Sequence, residues 1–212
     1  MPINEKKICV ANLKKSSLKF IIKKIKSDEI NRLYLIGKKE KKLLENFKKK
    51  IPTVIAAGGL VINDKNHLLF IFRKNKWDLP KGKIELNETL TNGAKREVKE
   101  ETGVKKISVQ KEIDLTLHIF KRNKIYQLKQ THWFLMKSKF SGKLKPEISE
   151  GISKAEWKNK LETKNALKKT FPSIKYLFSK NQLIKTLFDF NLLYTYVPTA
   201  CKILVTASLY SL

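Results

Sequence analysis

The sequence predicts a layered α/β fold with a small α/β appendage at its N-terminal end, and three observations predict it. Two apolar runs of strand length, "TVIAAGGLVI" and "HLLFIFR", flank the turn-like "NDKN" at residues 63–66, which reads as a hairpin entering a buried sheet. A helix follows, with Leu90, Ala94 and Val98 as an apolar stripe, Thr89 suited to cap its start and Gly103 suited to end it left-handed. Further strand-like runs then lead into closing helices, and alternating strands and helices build a sheet covered by helices.

Taken in order, "KICVAN", "LKFIIKKI" and "RLYLIG" have strand-like content, and "KEKKLLENFKKK" places Leu43, Leu44 and Phe47 at helical spacing. Pro52 punctuates the chain, so residues 1–51 form the appendage and residues 52–180 the main domain. Beyond the central helix, "ISVQKEIDLTLHIF", "KIYQLKQTHWFLMKS" and "ISKAEW" have the β-branched and aromatic content of strands. "LETKNALKKTFPSIKYLF" sets Leu161, Ala166, Leu167, Ile174 and Phe178 in the pattern of closing helices broken at Pro172. Residues 181–212 form an apolar extension of unassigned role. In its last stretch, "FNLLYTYVPTACKILVTASLYSL", Pro198 and Lys202 interrupt the ~20 apolar residues a membrane helix needs, so a docked segment is expected rather than an anchor. No internal repeat is evident.

The chain has 212 residues, 42% of them hydrophobic, enough for a real core. Lys and Arg number 46 against 19 Asp and Glu, a formal charge of +27, and only Arg32, Arg73, Arg96 and Arg122 are arginines. Such a field raises encounter rates with any polyanion without choosing among nucleotide, inositol phosphate, nucleic acid and acidic lipid. The lysines are spread along the chain, and the fork that grips phosphate bidentately is scarce. The charge alone leaves the partner open among these. Cys9 and Cys201 lie near opposite ends with neither disulfide-framework nor zinc spacing, which fits a reducing cytoplasm. The N-terminal segment interrupts every apolar stretch with lysine and has no signal-peptide core.

The acids of the central helix carry the chemistry. Each helical residue advances about 100°, which sets Glu97, Glu100 and Glu101 within one arc. Like charges so placed oppose the helix by ~0.2–0.5 kcal/mol per pair, and burial beside a sheet worsens the repulsion, so a cation is expected among them. Oxygen ligands on one rigid face suit Mg²⁺, with Mn²⁺ as a substitute, whereas zinc prefers nitrogen and sulfur. Gly93 breaks the pattern: inside a helix it costs about 1 kcal/mol relative to Ala, which implies a close backbone approach.

Gly82, five residues, Glu88, seven residues and then "REVKEETGV" resemble, at every fixed position, the box that marks the Nudix hydrolase superfamily. "AAGG", "WDLPKGKIE" and "THWFLM" extend the resemblance over about residues 52 to 178, with MutT-like and dinucleoside polyphosphate hydrolase-like features. The resemblance implies an α/β/α sandwich around a mixed sheet, with the box folded as loop, helix and loop. It further implies Mg²⁺-dependent attack of water on a pyrophosphate bridge in a nucleoside diphosphate-linked substrate.

By box position, Glu97, Glu100 and Glu101 are the implied metal ligands, joined by the backbone carbonyl of Gly82 or its neighbour Lys81. Arg96 is implied to hold Glu88. The catalytic set is Glu88, Arg96, Glu100 and, as general base, Glu150 in "SEGISKAEW", with Glu147 the alternative. Arg73 and Lys81 are the expected phosphate contacts. Trp77, Tyr126, His132 and Trp133 are open between stacking on a base and completing a core, with Trp77 carried as a substrate contact. His67 and His118 have neither triad nor metal-ligand spacing and are read as structural. "WDLPKGKIE" resembles branches that cleave dinucleoside or diphosphoinositol polyphosphates, whereas Glu150 resembles the branch acting on nucleoside triphosphates, so the substrate stays open between them. RNA 5′ ends, or a non-catalytic nucleotide- or RNA-binding role, are the alternatives; the intact acids argue against the last.

Overall fold

The computed structural model describes residues 7–27, 30–37, 40–181, 184 and 202–207, and these fall into two compact units. The first takes the described residues up to Val54, Leu117–Gln130 and Lys202–Ala207; the second takes Ile55–Thr116 and the described residues from Thr131 to Ile184. Residues 1–6, Cys201 and Pro198 lie outside the described residues.

In the first unit β1 (Lys7–Asn12) pairs in parallel with β2 (Ile30–Ile36). A late strand, β10 (Lys202–Ala207), runs antiparallel to β2 on one side and parallel to residues 117–119 on the other, so the pairing is mixed. This strand, with Asn181 and Ile184, is the described part of the apolar extension. Between β1 and β2 the structure corrects the sequence reading, because "LKFIIKKI" is not a strand but a helix, α1 (Leu18–Lys26). Leu18, Ile21, Ile22 and Ile25 recur at helical spacing, and the Ser17 hydroxyl accepts the Phe20 amide at 3.1 Å. Packing that stripe against Leu33, Leu35, Phe47 and Ile51 outweighs the few tenths of a kcal/mol by which isoleucine disfavours a helix. The second helix, α2 (Glu40–Lys48), buries Leu43 and Phe47 as expected.

The second unit contains the inner part of β3 (Thr53–Asn63), then β4 (Leu68–Arg73), β5 (Lys76–Asp78), β6 (Lys81–Lys83) and α3 (Leu90–Thr102). The long strands β7 (Ile107–Arg122) and β8 (Ile125–Ser138) each give residues to both units. A 3₁₀ turn at Ile148–Glu150, β9 (Ile152–Lys158), α4 (Lys160–Lys168) and α5 (Pro172–Lys180) complete it. The strands lie in the order β7-β8-β3-β4-β5, with β6 paired to β3 and β9 to β4. At the β3–β4 turn the Asn63 side chain accepts the amides of Lys65 and His67, and Asn66 takes φ 58.

Alternation along the strands makes this unit a sandwich. Leu60, Ile62, Leu68, Phe70, Trp133 and Leu135 point to one side, where Ala166, Leu167, Ile174, Leu177 and Phe178 of α4 and α5 cover them. Their neighbours Ala57, Val61, Leu69, Phe134 and Met136 point to the other, against Ala94 and Val98 of α3. Because strand residues alternate faces, one helical layer on each side is required to keep both sets from water. Trp133 is 1% exposed and its indole donates to the Thr116 hydroxyl at 2.8 Å, so it completes the core.

Leu161 departs from its expected pattern, being 68% exposed. A capping box, in which Asn159 and Glu162 accept each other's amides, sets the first turn of α4, and Thr163, Ala166 and Leu167 take the inner face instead. Pro172 opens α5, where a missing amide costs nothing. Among the described residues, no helix is long and apolar enough to cross a membrane.

Candidate active site

The site grows from the way α3 is fixed. The Thr89 hydroxyl accepts the Asn92 amide at 3.2 Å, and Gly103 ends the helix at φ 69 with its amide on the Lys99 carbonyl at 2.7 Å. With Ala94 and Val98 buried against the sheet, Glu97 and Glu101, one turn apart, are drawn in with them at 6% and 1% exposure. Glu100 lies about 100° around the helix from Glu101 and stays exposed. The three acids therefore do not share one environment: two are buried and one meets water.

Arg96 organises the acids it touches. Its Nε and Nη2 fork onto the two oxygens of Glu88 at 2.9 and 2.8 Å, and Nη1 donates to Glu97 at 2.9 Å and Glu100 at 2.8 Å. Nη2 also reaches the Lys83 carbonyl at 3.0 Å. Glu88 in turn accepts the Glu85 amide at 3.1 Å across a turn in which Asn87 takes φ 63, so one guanidinium ties the loop to the helix. The hydrogen bonds from Arg96 hold the Glu88 carboxyl below its ordinary range. Gly93 lacks room for a side chain: a Cβ would overlap the Ile84 side chain and stand 2.8 Å from a Glu88 oxygen. The close approach implied by the sequence is thus present.

The buried pair is held without full compensation. Burial pushes Glu97 up, against the pull of Arg96, and the charges of Glu150 and Glu100 push the same way. Burial raises Glu101 to about 7, against the pull of Lys81 and Arg73, while Asp78 adds to the rise. One oxygen of Glu101 accepts the Lys81 amide at 2.8 Å; the other is buried with no hydrogen-bond partner, its nearest charge being Arg73 Nη1 at 3.5 Å. Gly82 stands against Glu97 so closely that a Cβ would overlap the carboxylate.

Sequence reasoning missed Asp78, which is 2% exposed and accepts the Leu79 amide at 2.9 Å and the Lys81 ammonium at 2.7 Å. Its signal was the opposite charge three residues before Lys81 in "WDLPKGKIE". Arg73, Glu101, Lys81 and Asp78 are thereby linked in one group, with Lys81 giving its amide to Glu101 and its ammonium to Asp78.

The loop after β8 is pinned to the end of α3 by the Lys145 amide on the Thr102 carbonyl at 2.8 Å and the Glu147 amide on the Glu101 carbonyl at 3.3 Å. Glu147 spends its carboxylate locally, accepting from the Ser149 amide and hydroxyl. Glu150 is exposed, and its charge reaches Glu97. Trp77 is not brought to the acids. Its ring packs on Phe72 at 4.9 Å and Phe70 at 6.5 Å, with the Lys158 ammonium 3.5 Å from its centroid. Tyr126 belongs to the first unit, and His132 pairs with Glu112 at 2.6 Å.

Among the described residues no three acidic, histidine or cysteine side chains converge as a metal cage, and Arg96 stands among Glu88, Glu97 and Glu100. The donor chemistry nonetheless fits a hard divalent ion, with oxygen ligands throughout, an unpartnered buried oxygen on Glu101 and a backbone cleared of side chain at Gly82. Gly82→Ala is expected to displace the Glu97 carboxylate and lower turnover by about 10²-fold, the scale of a misplacement near 1 Å. Steady-state kinetics beside an unchanged far-ultraviolet spectrum would check it.

A loop–helix–loop that buries two glutamates beside a glycine and forks an arginine onto a third defines a carboxylate site built on one helix. Residues 52–179 match the family model of the NUDIX domain, and the chain belongs to the Nudix family. It is 42% identical over 53 residues to a MutT-like protein of Streptomyces ambofaciens, covering 24% of this chain and 34% of that protein. It is 28% identical over 92 residues to an RNA pyrophosphohydrolase of Pelagibacter ubique, covering 37% of this chain and 58% of that protein. The chain thus spans less than two thirds of the length of either relative. A crystal structure of a MutT protein from Methanosarcina mazei superposes with a TM-score of 0.48 at 22% identity, over 62% of this chain and 94% of that one.

Proposed function

We propose that this chain is a Mg²⁺-dependent pyrophosphohydrolase that cleaves a phosphoric anhydride bond in a nucleoside diphosphate-linked substrate, either a nucleoside triphosphate or a dinucleoside polyphosphate. The observation that carries the reading is the buried oxygen of Glu101 that no donor satisfies, beside Glu97 and the bare backbone of Gly82. Glu97, Glu100, Glu101 and the Gly82 carbonyl would hold Mg²⁺, or Mn²⁺ in its place. When bound, the ion supplies charge neutralisation of the phosphate chain and polarisation of the attacked phosphorus.

The chain's own residues do the remainder. Arg96 keeps Glu88 and the acids of α3 in place, Arg73 and Lys81 meet phosphate oxygens, and Glu150 takes the proton from the attacking water. Glu150 is preferred to Glu147 because its carboxylate is uncommitted locally and its charge is felt at Glu97. Glu150→Gln is therefore expected to lower kcat by about 10²–10⁴-fold, and Glu147→Gln by less than tenfold. Equal losses in a pH–rate comparison of the two variants would remove the assignment.

A panel of nucleoside triphosphates, dinucleoside polyphosphates and diphosphoinositol polyphosphates, with Mg²⁺ and with EDTA, tests the reading as a whole. Turnover with one of these that chelation abolishes is expected; chelator-insensitive turnover, or none, would overturn it. The two cysteines without a framework support a cytoplasmic setting.

Removal of pyrophosphate from RNA 5′ ends is the second reading, supported by the charge of +27 and by the relative that bears that activity in its name. Comparing a triphosphorylated oligonucleotide with free nucleoside triphosphate across salt concentrations separates the two. Preference for the oligonucleotide with a steep salt slope would replace the first reading.

A further inference from the structure

The acids of this chain are not shared evenly between its two units. In the full sequence, the segments of the second unit carry twenty-five lysines and arginines against fourteen aspartates and glutamates. The segments of the first unit carry twenty-one against five. A habit of lysine usage would act on both units alike, and it would not leave one with so few acids.

The basic side chains of the first unit also have local order. The β7–β8 turn places Asn123 and Lys124 at φ 48 and 64, a tight hairpin whose residues 121–125 are all exposed. Behind it, the ring of Tyr126 collects two ammonium groups from separate elements: Lys26 at the end of α1, 5.4 Å from the ring centroid, and Lys121 of β7 at 5.6 Å. A ring that attracts both holds two like charges near one point, which lowers the ordering cost of a phosphate contact there. Arg122 and Lys124 extend the same positive end of the hairpin.

We infer that this unit binds the phosphate backbone of a nucleic acid, without reading its sequence, through Lys26, Lys121, Arg122 and Lys124. Lysines act as point charges and suit backbone contact rather than recognition of base edges. An acidic lipid surface fits less well, because the apolar stripe of α1 that would enter a bilayer is spent on the unit's own core. The apolar side chains left in water, Val10, Phe20 and Ile125, sit on three different elements. The inference stands apart from the hydrolytic reading, since these residues belong to the first unit and the carboxylates to the second.

The test uses the full chain and a fluorescein-labelled, single-stranded 20-nucleotide RNA with a 5′ hydroxyl, in EDTA. That probe carries no anhydride bond, so its binding is independent of whether the carboxylate site hydrolyses anything. Anisotropy titrations are run from 50 to 300 mM salt. The Lys26→Gln/Lys121→Gln/Arg122→Gln/Lys124→Gln variant is expected to bind at least about tenfold more weakly, with a log–log salt slope shallower by up to about 3, at roughly 0.7 per backbone contact. The charge-matched Lys105→Gln/Lys137→Gln/Lys139→Gln/Lys143→Gln variant of the second unit is expected to bind nearly as the parent does, and both should keep the parent's circular dichroism. Equal weakening in the two variants would show a diffuse charge effect and overturn the assignment. So would no weakening in either, or binding to phosphatidylserine vesicles with none to RNA.

Discussion

Glu101→Gln is expected to lower kcat/KM for Mg²⁺-dependent hydrolysis by about 10²–10³-fold, the scale of losing one preorganised charge at the reacting centre. The amide keeps an acceptor for the Lys81 N–H but loses the negative charge facing Arg73 and any ion bound there. Burial makes the loss large, because a carboxylate 1% exposed has no water to stand in for it. Glu100→Gln is expected to cost less, since that side chain is 55% exposed. Kinetics at saturating Mg²⁺ read the difference, and near-parent turnover in Glu101→Gln would remove the chemistry from α3.

The second large effect falls on Arg96→Lys. The guanidinium spreads five hydrogen bonds over Glu88, Glu97, Glu100 and the Lys83 carbonyl, and an ammonium cannot copy that fork. Loss of the fork is expected to destabilise the metal-free protein by about 2 kcal/mol, near the low end for hydrogen bonds to charged groups, because Arg96 keeps contact with water. Turnover should fall by about 10–100-fold, as when a partner that orients metal ligands is removed. Urea denaturation followed by far-ultraviolet circular dichroism, with kinetics on the same samples, checks both. A fully active, less stable Lys variant would limit Arg96 to holding the loop.

What the sequence made legible was local. Thr89, Gly93 and Gly103 each had one physical role available, and each fills it. The two sheet faces follow from alternation in "TVIAAGGLVI" and "THWFLM". The misses arose where tertiary context outweighs local signal. Isoleucines in α1 read as strand formers until a partner surface rewards their helical stripe. Leu161 fits an apolar pattern, yet a capping box turns it to water. Helical arithmetic placed Glu97, Glu100 and Glu101 in one arc, but only the sheet decides where in that arc burial begins. Asp78 escaped notice because its importance lies in Lys81 and, through it, in Glu101, which lies twenty residues beyond Lys81. No residue pattern marks the allocation of Leu117–Gln130 to the first unit, since the hairpin strands run on without a break.

The claim on which the account turns is that the buried carboxylates of α3 take up a divalent ion, and Mn²⁺ binding to the metal-free protein, followed by electron paramagnetic resonance from pH 5.5 to 8, tests it most directly. Burial lifts Glu101 from its ordinary 4.5 to about 7, so the acid is largely protonated below that pH and a proton must leave as an ion enters. Mn²⁺ affinity should therefore climb with pH, approaching tenfold per unit below about 7, and level off above it, with binding lost in Glu97→Gln/Glu101→Gln. Affinity that does not change with pH, or that survives in the double variant, would contradict it.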